Sequence, residues 1–199
     1  MKKKIIAVSA AIVILAIAVV GGTLAWLSST DTITNTFTVG NVSIDLDEAK
    51  VDANGKKIPD DQPGAGRGDA NSYHIVPGAV LDKDPTVWIN AGSESCLVYV
   101  LIKNELGGAA TLDINADWVV VDTTTYPGLY KYKDTVPAAT VKTSLPAVFT
   151  KVTIAGATLD NAALSALANK KIIVKAYAIQ SANIGSEDTA ALASAALNP

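Results

Sequence analysis

Behind Lys2, Lys3 and Lys4 the chain runs from Ile5 to Val20 without one charged residue, then reaches Gly21-Gly22-Thr23-Leu24-Ala25. A basic start, an apolar run and a small-residue end make the layout of a secretory signal peptide, with Thr23 and Ala25 at the cleavage site. The cut is therefore expected between Ala25 and Trp26. The run falls short of the ~20 residues a helix needs to span hydrocarbon, so residues 1–25 read as a removed signal, with no stable membrane anchor after cleavage. This constrains the fold strongly, because the remainder must fold after export. It must also do so with one cysteine, Cys96, which excludes an internal disulfide. Stability has to come from an apolar core or from neighbouring subunits. Cys96 itself lies in the apolar stretch Ser95-Cys96-Leu97-Val98-Tyr99-Val100 and reads as a small buried hydrophobe.

The formal net charge is −3 over 199 residues and becomes about −6 once the three leading lysines leave. Nucleic acid is thereby excluded as a partner, since phosphates call for clustered Lys and Arg. Residues 26–37 are rich in Thr and Ser. Leu27, Ile33, Phe37 and Val39 share one parity along an extended chain, but Ser29, Asp31 and Asn35 interrupt that face, so residues 26–40 are competent to form a strand but weakly patterned. Val42, Ile44 and Leu46 then alternate with Ser43, Asp45 and Asp47, as in a half-buried strand.

Residues 47–72 turn to Asp, Gly, Lys and Pro and read as a surface loop. Further strands are expected at Tyr73–Gly78, ending in a Pro77-Gly78 turn, and at Thr86–Asn90 and Ser95–Lys103. Both faces of the last are apolar, so both should be covered. Asp117–Val121, Leu129–Lys133, Ala147–Ile154 and Lys171–Gln180 complete the set, with a turn at Tyr126-Pro127-Gly128. Two short helices fit: 161–169 capped by Asp160, and 187–197 capped by Ser186. The expectation is a mainly β protein, a jelly-roll β-sandwich with two short helices, over residues 41–199.

No constellation for catalysis stands out. His74 is the only histidine and has no partners in a zinc or triad pattern, so a partly exposed structural role is expected. Asp113-x-Asn115-x-Asp117 opens like a calcium loop, but Trp118 stands where glycine is required and Thr124 where the bidentate glutamate belongs. Arg67-Gly68-Asp69 is a three-residue cell-attachment motif in a glycine-rich loop, where chance matches are common. No catalytic, metal or cofactor residue is assigned, and an enzyme is not expected.

Residues Gly21 to Leu46 resemble the start of the TasA/camelysin family. Val76-Pro77-Gly78, Lys83-Asp84-Pro85-Thr86-Val87, Gly92 to Val100 and Ala176-Tyr177-Ala178-Ile179-Gln180 resemble it in the same order. The resemblance implies a protein exported by Gram-positive bacteria, cut by a dedicated signal peptidase and folded as a jelly roll. It also implies assembly into extracellular fibres of the biofilm matrix, with itself and with other matrix proteins as the partners to look for. In such fibres the freed N-terminal segment, here Trp26, Leu27, Ile33, Phe37 and Val39, adds a strand to the next subunit. Two alternatives stay open: a monomeric surface-binding module, and a camelysin-like metalloprotease, for which the zinc motif is missing.

Overall fold

A computed structural model describes residues 41–156, 159–182, 184 and 188–198. Its eleven strands are β1 (Ile44–Ala49), β2 (Arg67–Gly68), β3 (Val80–Asp82), β4 (Thr86–Ile89), β5 (Cys96–Asn104), β6 (Ala110–Leu112), β7 (Trp118–Asp122), β8 (Tyr126–Tyr132), β9 (Thr143–Ser144), β10 (Lys151–Ile154) and β11 (Ile172–Gln180). They form three antiparallel sheets, ordered β2-β1-β4-β9, β3-β10-β6 and β11-β5-β8-β7. Two helices, α1 (Asn161–Ala166) and α2 (Thr189–Leu197), complete a mainly β sandwich with two short helices, as expected.

The period-2 pattern decides which side chains are inside. Along β5, Cys96, Val98, Val100 and Ile102 enter the main core, where they meet Val87 and Ile89 of β4 and Leu81, Val152 and Ile154 of the small sheet. The opposite face of β5 presents Tyr99 and Leu101 to a second cluster with Leu129, Ala193 and Leu197, so α2 covers the outside of that sheet. Both faces of β5 are therefore buried, as its unbroken apolar run implied, and Cys96 lies fully inside the main core. Burial pushes its thiol pKa up.

Local signals explain several elements. The Asp160 carboxylate accepts from Ala163 N at 2.8 Å and starts α1, and the cap predicted there is correct. The second helix begins later than expected. Asp188 caps it, accepting from Ala190 N at 3.0 Å and Ala191 N at 3.1 Å, while Ser186 and Glu187 lie outside the described residues. The turn between β7 and β8 falls at 123–125, where Asp122 accepts from Thr124 N at 2.7 Å and Thr125 Oγ1 at 2.8 Å. It is not at Tyr126-Pro127-Gly128, which lies inside β8. Gly128 adopts φ +79° there, and an added Cβ would collide with the Ile102 carbonyl oxygen. The residue is needed for close approach of two strands.

Two other expected strands are shorter or absent. Tyr73–Val76 is irregular, although the turn at Pro77-Gly78 is present. Val148 and Phe149 are fully buried but not in a strand. Val148 N instead donates to Pro85 O and its carbonyl accepts from Asn115 N, both at 2.9 Å, tying a loop between two elements.

Candidate functional site

An exposed sheet edge presents unpaired N–H and C=O groups to any strand that can reach it, and folds usually blunt such edges. Here β2 and β9 have two residues each and β3 and β6 three each. The edge strand β7 carries a register shift between Val120 and Asp122, a bulge that disrupts pairing. Edge strand β11 is different: nine residues, paired among the described residues only on its β5 side, in unbroken register from Ile172↔Asn104 to Gln180↔Cys96.

The ladder's alternation shows which groups are free. Glu105 N donates to Lys171 O at 2.9 Å and Ser181 N to Ser95 O at 2.8 Å, so odd-numbered residues of β11 face β5. Ile172, Val174, Ala176, Ala178 and Gln180 turn their backbone groups outward, with no backbone partner among the described residues. The same reasoning applies to β1. Asn90 N donates to Ser43 O at 2.9 Å, which puts Asp45 and Asp47 on the β4 side and leaves the backbone groups of Ile44 and Leu46 free among the described residues.

Both edges border one cavity of about 800 Å3, lined by Leu46 from β1, by Ile172 and Val174 from β11, and by Leu164 of α1 and Leu167 just past its end. Ile44, Leu46, Ile172 and Val174 pack against the main core yet stay half-buried. Filling the cavity with apolar side chains would bury them further, at ~25 cal/mol per Å2 of apolar surface removed from water.

One end of the cavity is polar. Glu48 is buried and paired with Lys83. Lys83 Nζ also lies 5.9 Å from the Tyr73 ring centroid. Burial, with the nearby Glu48 charge, pushes the Tyr73 phenol pKa up, so it stays neutral and donates to Asp82 O at 2.9 Å. Next to it, Arg67 binds Asp47 at 2.6 Å and Asp84 at 3.0 Å. Partial burial opposes its charge, but the two carboxylates outweigh this and raise its pKa. The Arg67 side chain is 28% exposed and is committed to these partners, so the guanidinium of the Arg67-Gly68-Asp69 tripeptide serves the fold, in keeping with a chance match to the cell-attachment motif.

Of the remaining sequence candidates among the described residues, only His74 reaches the cavity. His74 is exposed and lines the same cavity. Asp113 accepts from Thr150 N at 2.8 Å, Thr150 Oγ1 at 2.7 Å and Lys151 N at 2.6 Å, and Asp117 pairs with Lys133 at 2.6 Å. Trp118, standing at the calcium loop's glycine position, is 3% exposed in the core. Among the described residues no three His, Cys, Asp or Glu side chains gather where a metal could be held. Ala25, Trp26, Leu27, Ile33, Phe37 and Val39, the expected cleavage and donor-strand residues, lie outside the described residues. Alternation in the sequence revealed β1 and β11. It did not reveal that each keeps an open side, since pairing is set by distant segments.

Fold and edge together define an antiparallel β-sandwich with, among the described residues, one long open strand over a cavity that is apolar at one end and polar at the other. A family model described as Camelysin metallo-endopeptidase matches residues 1–62, a stretch that includes β1, and the TasA/camelysin resemblance is borne out over it. No curated protein and no solved structure gave a match.

Proposed function

We propose that the chain is an exported structural subunit, not an enzyme, which polymerises head to tail into extracellular filaments of a biofilm matrix. A signal peptidase cuts after Ala25, and residues 26–40 of one copy complete the sheet of the next. The observation that carries this reading is the open nine-residue edge of β11 beside the free edge of β1, both over one partly apolar cavity. Nine strand residues span about 30 Å, which residues 26–38 can match when extended. Main-chain bonds to an added strand supply affinity, and alternate side chains entering the cavity supply specificity. Ile33 and Phe37 have the parity to do so. A heterologous contact of this kind repeats into a filament unless its rotation closes a ring.

Electron microscopy of purified residues 26–199, beside the same chain lacking residues 26–37, tests the reading. Fibres are expected from the first and dispersed subunits from the second. Equal fibres in both would remove the donor-strand mechanism.

A further inference from the structure

The two open edges differ in length, and the difference has a cause. On β11 free groups extend from Ile172 to Gln180. On β1 they end at Leu46, because β2 occupies the next outward position: Glu48 pairs with Gly68, and Lys50 N donates to Gly66 O at 2.9 Å. β2 has only two residues, too few to hold itself in place. It is held by Arg67, whose guanidinium bridges Asp47 and Asp84 and also donates to Asp84 O at 3.0 Å. Behind it, Asn71 donates to Ala49 O at 2.8 Å and accepts from Val51 N at 3.2 Å, fixing where the chain leaves β1.

We infer that β2, clamped by Arg67, is an end stop that sets the register of the strand inserted beside β1. The inference rests on the proposed reading. Such a device would reinforce the register of the inserted segment. A slip by one residue would turn every side chain to the wrong face, but a slip by two keeps the faces. In Thr30-Asp31-Thr32-Ile33-Thr34-Asn35-Thr36-Phe37 the even positions are all Thr, so a two-residue slip leaves the outer face unchanged and is opposed only where Asp31 or Asn35 would take the inward place of Ile33 or Phe37. A physical barrier at Glu48 limits β1 to two outward residues, Ile44 and Leu46, and gives the segment a fixed place to end. The 47–72 excursion thereby becomes part of the acceptor rather than a neutral loop.

The test uses assembled residues 26–199 carrying Asp45→Cys with Thr32→Cys, Thr34→Cys or Thr36→Cys. These positions have the parity to share one face, and Cys96 is buried away from them. One of the three pairs is expected to form the inter-subunit disulfide. Adding Arg67→Ala is expected to spread the linkage to a pair two residues away. An unchanged single linkage in a folded Arg67→Ala chain would overturn the end stop. Fibres without any of the three linkages, or no fibres, would instead overturn the groove as acceptor. Amide hydrogen exchange on the unaltered chain gives a second reading that does not depend on the variant folding. On assembly Ile44 and Leu46 should gain protection while Glu48, already paired with Gly68, should not change. Faster exchange at Glu48 and Gly68 would mean that the entering strand displaces β2, and the inference would fail.

Discussion

Replacing Ala176 with proline separates the free side of β11 from its bonded side. The Ala176 N–H points away from β5 and has no partner among the described residues. Proline is tolerated on an edge strand whose N–H faces outward, so the subunit should lose about 1 kcal/mol, mainly from the shift in φ. For an entering strand the cost is larger. The variant lacks one donor and its ring keeps the neighbouring chain away, removing two bonds at a net ~1 kcal/mol each. A loss of ~2 kcal/mol corresponds to an approximately 30-fold rise in the concentration needed for assembly. The control is Lys175→Pro, one residue earlier. Lys175 sits opposite Leu101 with its backbone groups turned toward β5, and its Nζ donates to Leu197 O at 2.8 Å. That variant should lose about 3 kcal/mol or more of subunit stability. Denaturant titration measures the first quantity, and sedimentation across a concentration series measures the second. If Ala176→Pro assembles at the unaltered concentration, β11 is not the accepting edge. If it is as destabilised as Lys175→Pro, the assignment of inward and outward residues is wrong.

Two further predictions concern the sandwich itself. Gly128→Ala combines a left-handed conformation costing about 1–2 kcal/mol with overpacking against the Ile102 carbonyl, worth a further ~1–3 kcal/mol; the denaturant midpoint should reflect a loss of about 3 kcal/mol, and a loss under ~1 kcal/mol would contradict the close approach of β8 to β5. Asp82 and Asp113 each hold a pKa below the usual carboxylate value. Partial burial opposes this, but bonds from Lys151 and the Lys57 backbone to Asp82, and from the Lys151 and Thr150 backbones and the Thr150 hydroxyl to Asp113, prevail. Their stabilisation is complete above the unfolded value near pH 4 and is lost as pH falls through the lower folded value; stability measured from pH 6 to pH 2 should therefore drop below about pH 4, and the paired variant Asp82→Asn, Asp113→Asn should be less stable at pH 6 with a shallower acid drop.

Strands with long tertiary ladders were legible in the sequence, and those made by context were not. β5 and β11 announce themselves as mostly apolar stretches of nine residues, and the Asp160 cap is visible because it satisfies its own neighbours. By contrast β2, β3, β6 and β9 have two or three residues and exist only because another strand lies alongside. Pro127-Gly128 looks like a turn by composition, yet the turn belongs to Asp122, and Gly128 serves a strand crossing that composition does not show. Val148 and Phe149 look like a strand because they are apolar, and they are apolar because they plug the core from a loop. The candidate site divides the same way. Alternation gives the faces of β1 and β11, whereas an open edge is the absence of a neighbour and has no local signature.

The bulge in β7, the brevity of the other edges and the covering of one sheet face by α2 bear on the kind of material such a subunit makes. In polymer terms a building block is defined by its functionality, the number of links it can form. On the proposed reading, one accepting groove, bordered by β11 and β1, and one N-terminal donor would give a functionality of two. Units of that kind make threads without branch points, so a solution of them thickens as threads lengthen but has no gel point of its own. Any cross-linked network would have to draw its junctions from another component.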